Sequence, residues 1–133
     1  MEPPPTSPVP ARSPTLYLDL QFAPGATLEL PAALAQERAL YAIDGALVVD
    51  GQSVPMHTMA VLDACRDVHV SAVQAVRAVL IGGEPLGPRF IWWNFVSSRK
   101  ERIVQAADDW EAGRFAPVPG ETEFIPLPER HFT

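Results

Sequence analysis

The chain of 133 residues has few basic residues relative to its acidic ones and no long apolar run. Ten lysine and arginine residues stand against sixteen aspartate and glutamate residues, which gives a net charge of −6, and the basic residues are dispersed. Binding to a phosphate backbone requires a concentrated positive surface, so direct nucleic-acid binding is not expected. A membrane-spanning helix needs about 20 mostly apolar residues in succession, and no such run occurs. These shortages predict a soluble domain that contacts neither nucleic acid nor membrane.

Cysteine is nearly absent, since Cys65 is the single one. One cysteine excludes an internal disulfide and cannot by itself make a zinc site. The adjacent Arg66 and Asp67 are not general bases of the usual kind, so we predict that Cys65 is a buried small apolar residue rather than a nucleophile. No basic leader followed by an apolar stretch is visible at the N-terminus, which predicts a cytoplasmic location.

Proline is concentrated at the two ends of the chain. Six of the fifteen prolines lie within MEPPPTSPVPARSP, where fixed φ angles and missing amide donors favour an extended arm. We therefore predict a proline-rich arm over residues 1–14 and one domain over residues 15–133, including a helix and an extended tail after Phe115. The arm could instead lie across a neighbouring subunit.

Between these ends, short β-prone runs alternate with turn residues. The pairs Asp44-Gly45 and Asp50-Gly51 are typical of tight hairpins, because both residue types tolerate positive φ. Close spacing of short strands favours an all-β sandwich or small barrel over an α/β fold. The predicted strands are residues 16–22, 27–30, 38–43, 46–49, 56–62, 68–72, 76–81 and 90–96.

One α-helix is predicted from Arg99 to Ala112. Ser98 and Glu101 have the spacing of a capping box, and Gly113 can close the last turn. The apolar residues that share one face of this helix are Ile103, Ala107 and Trp110. Trp110 is therefore predicted to anchor the helix by packing rather than to recognise a ligand.

The segment Phe90 to Val96 carries large apolar groups at both parities. Its alternation places Phe90, Trp92, Asn94 and Val96 on one face, with Ile91, Trp93 and Phe95 on the other. This pattern predicts one strand buried on both sides, covered by the helix, a tail or a second subunit. The role of the tryptophans is then structural rather than ligand stacking.

Several segments resemble the C-terminal cupin domain of the pirin family. They are GGEPLG, IWWNFVSSRKERIVQAADDWEAGRF, VPGETEFIPLP, and earlier RSPTLYLDLQFAPGATLELP and LYAIDG. The resemblance implies a cupin-type jelly-roll β-barrel. It also implies that this chain differs from complete pirins. Those proteins carry two cupin domains in tandem and hold iron in the N-terminal one, whereas this chain resembles only the second domain. Since a lone second domain would expose surface that normally has a partner, we expect a homodimer.

The resemblance also supplies a test for metal binding. The general cupin pattern places three metal ligands at fixed distances between two glycines: the two histidines of a His-x-His motif and a glutamate. Gly25 and Gly45 fit that spacing. The ligand positions are then occupied by Pro31, Ala33 and Arg38, none of which is an ordinary metal ligand. His69 lies one residue from the position of the second motif's histidine. We therefore predict neither metal nor cofactor.

These observations favour a metal-free, pirin-like cupin that acts as a non-catalytic interaction or structural module. The alternative is a small-molecule-binding cupin or a dioxygenase-like enzyme that uses the barrel interior. Only four polar residues are candidates for ligand binding in that interior: Arg38, Tyr41, His57 and His69. The remaining histidine, His131, lies in the tail.

Overall fold

A computed structural model describes residues 7–129, and its chain divides into two compact units, Met1–Pro85 and Leu86–Thr133. Residues 1–6 of the predicted arm and His131 lie outside the described residues. Residues 8–14 of the arm form neither helix nor strand. No helix in the described part of the chain is long and apolar enough to cross a membrane.

The first unit contains two four-stranded antiparallel sheets. The first sheet has the order β1-β8-β3-β6 and the second has the order β2-β7-β4-β5. A short 3-10 turn, Ala32–Leu34, separates β2 from β3. The strands are β1 Thr15–Phe22, β2 Thr27–Leu30, β3 Glu37–Ala42, β4 Leu47–Val49, β5 Gln52–Val54, β6 Met59–Val61, β7 Val68–Ser71 and β8 Val76–Gly83.

Alternate side chains of both sheets meet in one apolar core. In β3, Arg38, Leu40 and Ala42 are buried, whereas the residues between them are only partly buried. This period of two is expected for strands with one face against a core. The fully buried residues come from both sheets and include Leu30, Leu47, Val68, Val70, Ala78 and Leu80. The all-β character predicted for this part is therefore confirmed, but the described strands form two separate sheets rather than a closed barrel.

The two Asp-Gly pairs serve different purposes. At the β4–β5 turn, Asp50 and Gly51 have φ values of 47° and 80°, the positive angles that a two-residue hairpin requires. At Gly45 the need is space, because a Cβ there would lie 2.7 Å from Cγ2 of Val76. The strand β5 was not predicted, since it has three residues and two of them are exposed and polar.

The second unit begins with a hairpin, which corrects the prediction of one strand over residues 90–96. Strand β9, Phe90–Trp92, pairs with β10, Phe95–Ser97, and Trp93 turns between them with φ 51°. The fold-back pairs Trp92 with Phe95 and Ile91 with Val96. Ile91 is 71% exposed, so the expectation of a strand buried on both sides was wrong.

The α-helix α1, Lys100–Glu111, follows the hairpin. Its N-cap is Arg99, with no side-chain cap bond, so the predicted capping by Ser98 was wrong. The C-terminal prediction is confirmed, because Gly113 has φ 64° and its N–H donates to the carbonyl of Trp110. Ile103 and Ala107 are buried, as the shared face predicted.

Aromatic rings surround Trp110 in this unit. Its ring centroid lies 5.1 Å from that of Trp93 and 5.6 Å from that of Phe124. Its Nε1 also donates a hydrogen bond of 2.8 Å to the carbonyl oxygen of Ile125. Trp110 therefore anchors the C-terminal tail as well as the helix, and the described tail residues form no helix or strand.

Candidate functional site

Arg38 is a buried charged residue whose guanidinium donates to four backbone carbonyls. Arg38 lies on the face of β3 that points into the core, and the residue is only 2% exposed. Nη1 donates to the carbonyl oxygens of Leu30 and Pro31, both at 2.8 Å. Nη2 donates to those of Asp63 and Arg66 at 2.5 and 2.8 Å. Only Nε has no hydrogen-bond partner among the described residues.

These bonds connect two segments that are far apart in the sequence. Leu30 and Pro31 end β2 and begin the 3-10 turn, while Asp63 and Arg66 lie in the loop after β6. The carboxylate of Asp67 adds a second connection, because its Oδ1 accepts from the N–H of Ala32 at 2.8 Å. Carbonyls that leave a strand need donors when they are buried, and a planar guanidinium supplies several in a fixed geometry.

The ligand positions of the cupin pattern do not fit a metal in this chain. Pro31 and Ala33 carry no donor atoms in their side chains, and Arg38 brings a permanent positive charge to the same segment. The guanidinium also occupies the carbonyl oxygens of the segment that carries two of the three positions. Across residues 7–129, no group of three His, Cys, Asp or Glu side chains could hold an ion. No chemical step through a metal follows from this site.

The other candidate residues lie elsewhere in the first unit. Tyr41 is half-buried on the outer face of the first sheet, because its neighbours Leu40 and Ala42 face the core. His57 is exposed in the turn before β6, with φ 61°. His69 is exposed on the outer face of the second sheet. Of the four, only Arg38 points into the core, so they form no common site.

His69 belongs to a surface network of charged residues. Its Nε2 lies 3.1 Å from Oε2 of Glu29, and its backbone N–H donates to Oδ1 of Asp50 at 2.9 Å. The second oxygen of Asp50 is 3.0 Å from Nη2 of Arg66. Exposed pairs of this kind contribute little to stability.

The loop after β6 contains Asp63, whose carboxylate accepts hydrogen bonds, and the cysteine Cys65. The backbone N–H of Cys65 donates to Asp63, and this bond, followed by the bond from Arg66, lowers the pKa of the Asp63 carboxyl. Cys65 itself is exposed, which corrects the prediction that it is buried. In the same loop, the carbonyls of Asp63 and Arg66 point inward and accept hydrogen bonds from Arg38.

An apolar cavity of about 740 Å³ opens beside the start of β1. The arm residues Ser7 to Pro14, the first half of β1 and the 3-10 turn surround it. Leu16, Leu18 and Leu34 contribute its apolar wall and also pack against the core. Its position between arm and sheet could not be inferred from sequence, since the residues involved come from three separate segments of the chain.

Comparison with known proteins gives a consistent result for most of the chain. The family model that matches is the pirin C-terminal cupin domain, over residues 17–116. A pirin-like protein from Caulobacter vibrioides is 48% identical over 124 residues, which are 92% of this chain and 43% of that protein. A pirin-like protein from Solanum lycopersicum is 31% identical over 109 residues, or 77% of this chain and 38% of that protein.

Solved structures agree on the fold. A crystal structure of a quercetin 2,3-dioxygenase from Acinetobacter baumannii matches with a TM-score of 0.77 and 28% identity, over 96% of this chain and 45% of that chain. A second quercetin 2,3-dioxygenase structure from that organism has a TM-score of 0.75 and 22% identity, covers 84% of this chain and 40% of that chain, and supports the fold alone. This chain spans less than half the length of these relatives.

The family model matches residues 17–116, which run from the first sheet through the hairpin and helix, and the structural match covers 96% of the chain. They confirm the cupin fold and the family that the IWWNF segment suggested. The chain therefore belongs to the pirin family, and it corresponds to that family's C-terminal cupin domain.

Proposed function

We propose that this pirin-like domain works without a metal, as a non-catalytic interaction or structural module in the cytoplasm. The observation that carries the proposal is the buried Arg38, whose guanidinium donates to the carbonyls of Leu30 and Pro31. A fixed cation bound in this way disfavours a second cation beside it, because like charges repel strongly away from water. The exposed thiol of Cys65 suits a reducing compartment.

The direct test compares metal-dependent chemistry in this protein and in a longer relative. The purified protein is incubated with Fe(II), desalted and mixed with quercetin, and oxygen uptake is recorded. The pirin-like protein from Caulobacter vibrioides undergoes the same treatment for comparison. We expect no quercetin-dependent oxygen uptake above buffer from this protein. Uptake that is proportional to protein concentration and abolished by a chelator would show an enzyme and overturn the proposal.

A second candidate function, small-molecule binding, is favoured by the cavity beside β1. Its volume of about 740 Å³ is within the range of ligand pockets. Two related structures are of quercetin 2,3-dioxygenases, which makes quercetin a reasonable first probe. The cavity wall is mainly apolar, with Gln36, Thr15 and Glu84 among its few polar groups.

Calorimetry with quercetin separates the two candidates. The module proposal expects no saturable binding at micromolar ligand. The alternative expects binding that Ala33→Trp weakens about tenfold or more, because an indole at Ala33 fills part of the cavity. Ser53→Trp adds the same ring at an exposed position on β5 and serves as the control.

A further inference from the structure

The two sheets of the first unit have very different outer faces. Across the second sheet, strand pairing puts Thr27, Ser71, Val48 and Ser53 in one row. Across the first sheet, the equivalent row contains Tyr17, Ile81, Ala39 and Val61. Both sheets enclose the same core, so the difference between the outer rows reflects what each outer face contacts. A sheet that faces water on one side alternates apolar and polar residues, and only the second sheet does so consistently.

A second apolar row lies beside the first. Strand pairing places Val79, Tyr41 and Met59 next to one another, with Asp19 at the end of the row on β1. We call the two rows together the apolar face. Its members are Tyr17, Ala39, Tyr41, Met59, Val61, Val79 and Ile81.

The apolar face is accessible in this structure. Tyr17 is 68% exposed and Val61 is 85% exposed, and they lie on the two outer strands of the sheet. Large apolar side chains that are exposed singly are ordinary, but a contiguous set spanning four strands is typical of an interaction site. The apolar face therefore has the character of an interaction surface, which the outer face of the second sheet lacks.

We propose that the apolar face binds the same face of a second copy of this chain, forming a symmetric homodimer. This inference rests on the proposed function as an interaction module and adds its partner. A twofold contact places a surface against itself, so it needs an apolar centre and no excess of one charge. The apolar face meets both conditions.

Charge is the argument for a second copy. The whole chain has a net charge of −6, so two copies repel each other over most of their surfaces. The apolar face contains no charged residue. At one border Asp19 and Arg77 neutralise each other through an ion pair of 2.7 Å, and at the opposite border the exposed Glu37 lies beside Gly83. The Asp19–Arg77 pair is bidentate, because Nε of Arg77 donates to the other oxygen of the Asp19 carboxylate at 3.0 Å. Burial of the border at Asp19 therefore leaves no unpaired charge at the pair.

The size of the face determines the expected strength of the dimer. Four strands spaced about 4.8 Å apart, with rows over about five residues, present on the order of 300 Å² in projection. A standard stable interface buries about 800 Å² on each partner. The apolar face alone is smaller, so we expect a dissociation constant in the micromolar range or weaker rather than a permanent dimer.

Sedimentation equilibrium of the full chain, in buffer with a chelator, tests the proposal from about 1 µM to about 500 µM protein. The wild type is expected to show a monomer–dimer equilibrium in this range. Tyr17→Lys and Val61→Lys are each expected to weaken the dimer about tenfold or more, because they place charge in the apolar contact. Both substitutions reduce the net negative charge, so general repulsion between chains cannot explain a weaker dimer.

Val73→Lys is the matched control. Val73 is 79% exposed, nearly as much as Val61, but it lies in the loop between β7 and β8. The substitution Val73→Lys makes the same chemical change as Val61→Lys but away from the apolar face. We expect it to leave the monomer–dimer equilibrium unchanged. Circular dichroism and melting curves confirm that each variant folds, and Tyr17→Lys tests the same face if Val61→Lys does not.

Two results would overturn the inference: a monomer across the whole range, or a dimer that all three lysine variants affect equally. A monomer that also fails to bind metal removes this inference and leaves the proposed function in place. A dimer that carries stoichiometric iron supports this inference and overturns the proposed metal-free function. The two proposals therefore fail in distinguishable ways.

Discussion

Nη1 of Arg38 lies 2.8 Å from the carbonyl oxygen of Pro31, so two of the three positions that hold metal ligands in the cupin pattern are hydrogen-bonded to each other. A metal would need side-chain donors from both. Here the side chain of one residue is a cation that binds the backbone of the other. The bond makes the segment a structural connection between β2 and β3.

The first prediction concerns the stability that this connection supplies. Arg38→Met replaces the charged side chain with an unbranched apolar one that fills part of the same space. The substitution leaves four carbonyl oxygens without their donor. Buried acceptors without a partner are costly, so we expect the free energy of unfolding to fall by about 3 kcal/mol or more. Urea denaturation followed by circular dichroism measures the change.

Arg77→Met is the control for the arginine variant. Arg77 is exposed and pairs with Asp19 on the surface, where ion pairs are weak. Arg77→Met should lower the free energy of unfolding clearly less than Arg38→Met does. Equal losses for the two variants would contradict the structural role of the Arg38 bonds.

The second prediction concerns Gly82 in β8. A Cβ at this residue would lie 2.5 Å from the carbonyl oxygen of Glu37 and 3.0 Å from Cβ of Ala35. Because both neighbours belong to or lie close to the backbone, the strands must shift, and Gly82→Ala should destabilise the domain strongly. Gly51→Ala has open space and only a strained φ of 80°, which costs about 1 kcal/mol. A smaller loss for Gly82→Ala than for Gly51→Ala would show that the first sheet tolerates the shift.

The third prediction concerns the tail. Trp110→Phe retains an aromatic ring but removes the donor to the carbonyl of Ile125, so the tail should open more often, at a cost of about 1 kcal/mol. Hydrogen exchange of residues 118–125 should become faster. Trp93→Phe changes another ring of the same cluster without removing this donor. Equal acceleration in both variants would point to ring packing alone.

The fourth prediction concerns acid. The hydrogen bond from Arg114, and then that from Gln105, lowers the pKa of Asp109. A carboxyl with a lowered pKa in the folded state stabilises the fold fully above its unfolded pKa, near 4, and loses that contribution as the pH falls through the folded pKa. The wild type should therefore exceed Asp109→Asn in urea midpoint at pH 6, and this advantage should shrink below about pH 4. An advantage that stays constant down to pH 2 would exclude this linkage.

Much of the first unit could be predicted from sequence because its strands have one buried face. The bounds of β2 were predicted correctly, and those of β1 and β3 to within a residue, from β-prone runs that end at turn residues. The β9–β10 hairpin was missed for a physical reason. Its turn residues, Trp93 and Asn94, include no glycine or proline, and apolar residues continue through the turn.

The site was predictable only in part. Residue types alone showed that Pro31, Ala33 and Arg38 are poor metal ligands. The bonds that Arg38 makes were not predictable, because Asp63 and Arg66 lie 25 and 28 residues further along the chain. The spacing Arg38, Leu40, Ala42 did contain a signal, since an arginine on the core face of a strand needs several acceptors. The apolar face likewise depends on strand order, which brings β1 and β6 into one sheet.

Elemental analysis tests the central claim most directly. The purified chain is incubated with iron, nickel, zinc, manganese and copper in turn, desalted, and measured by mass spectrometry of its metal content. The account predicts far less than one ion per chain for every metal, with Arg38 still bound to the carbonyls of Leu30 and Pro31. One tightly held transition-metal ion per chain, retained through desalting and bound near Pro31, Ala33 and Arg38, would contradict it.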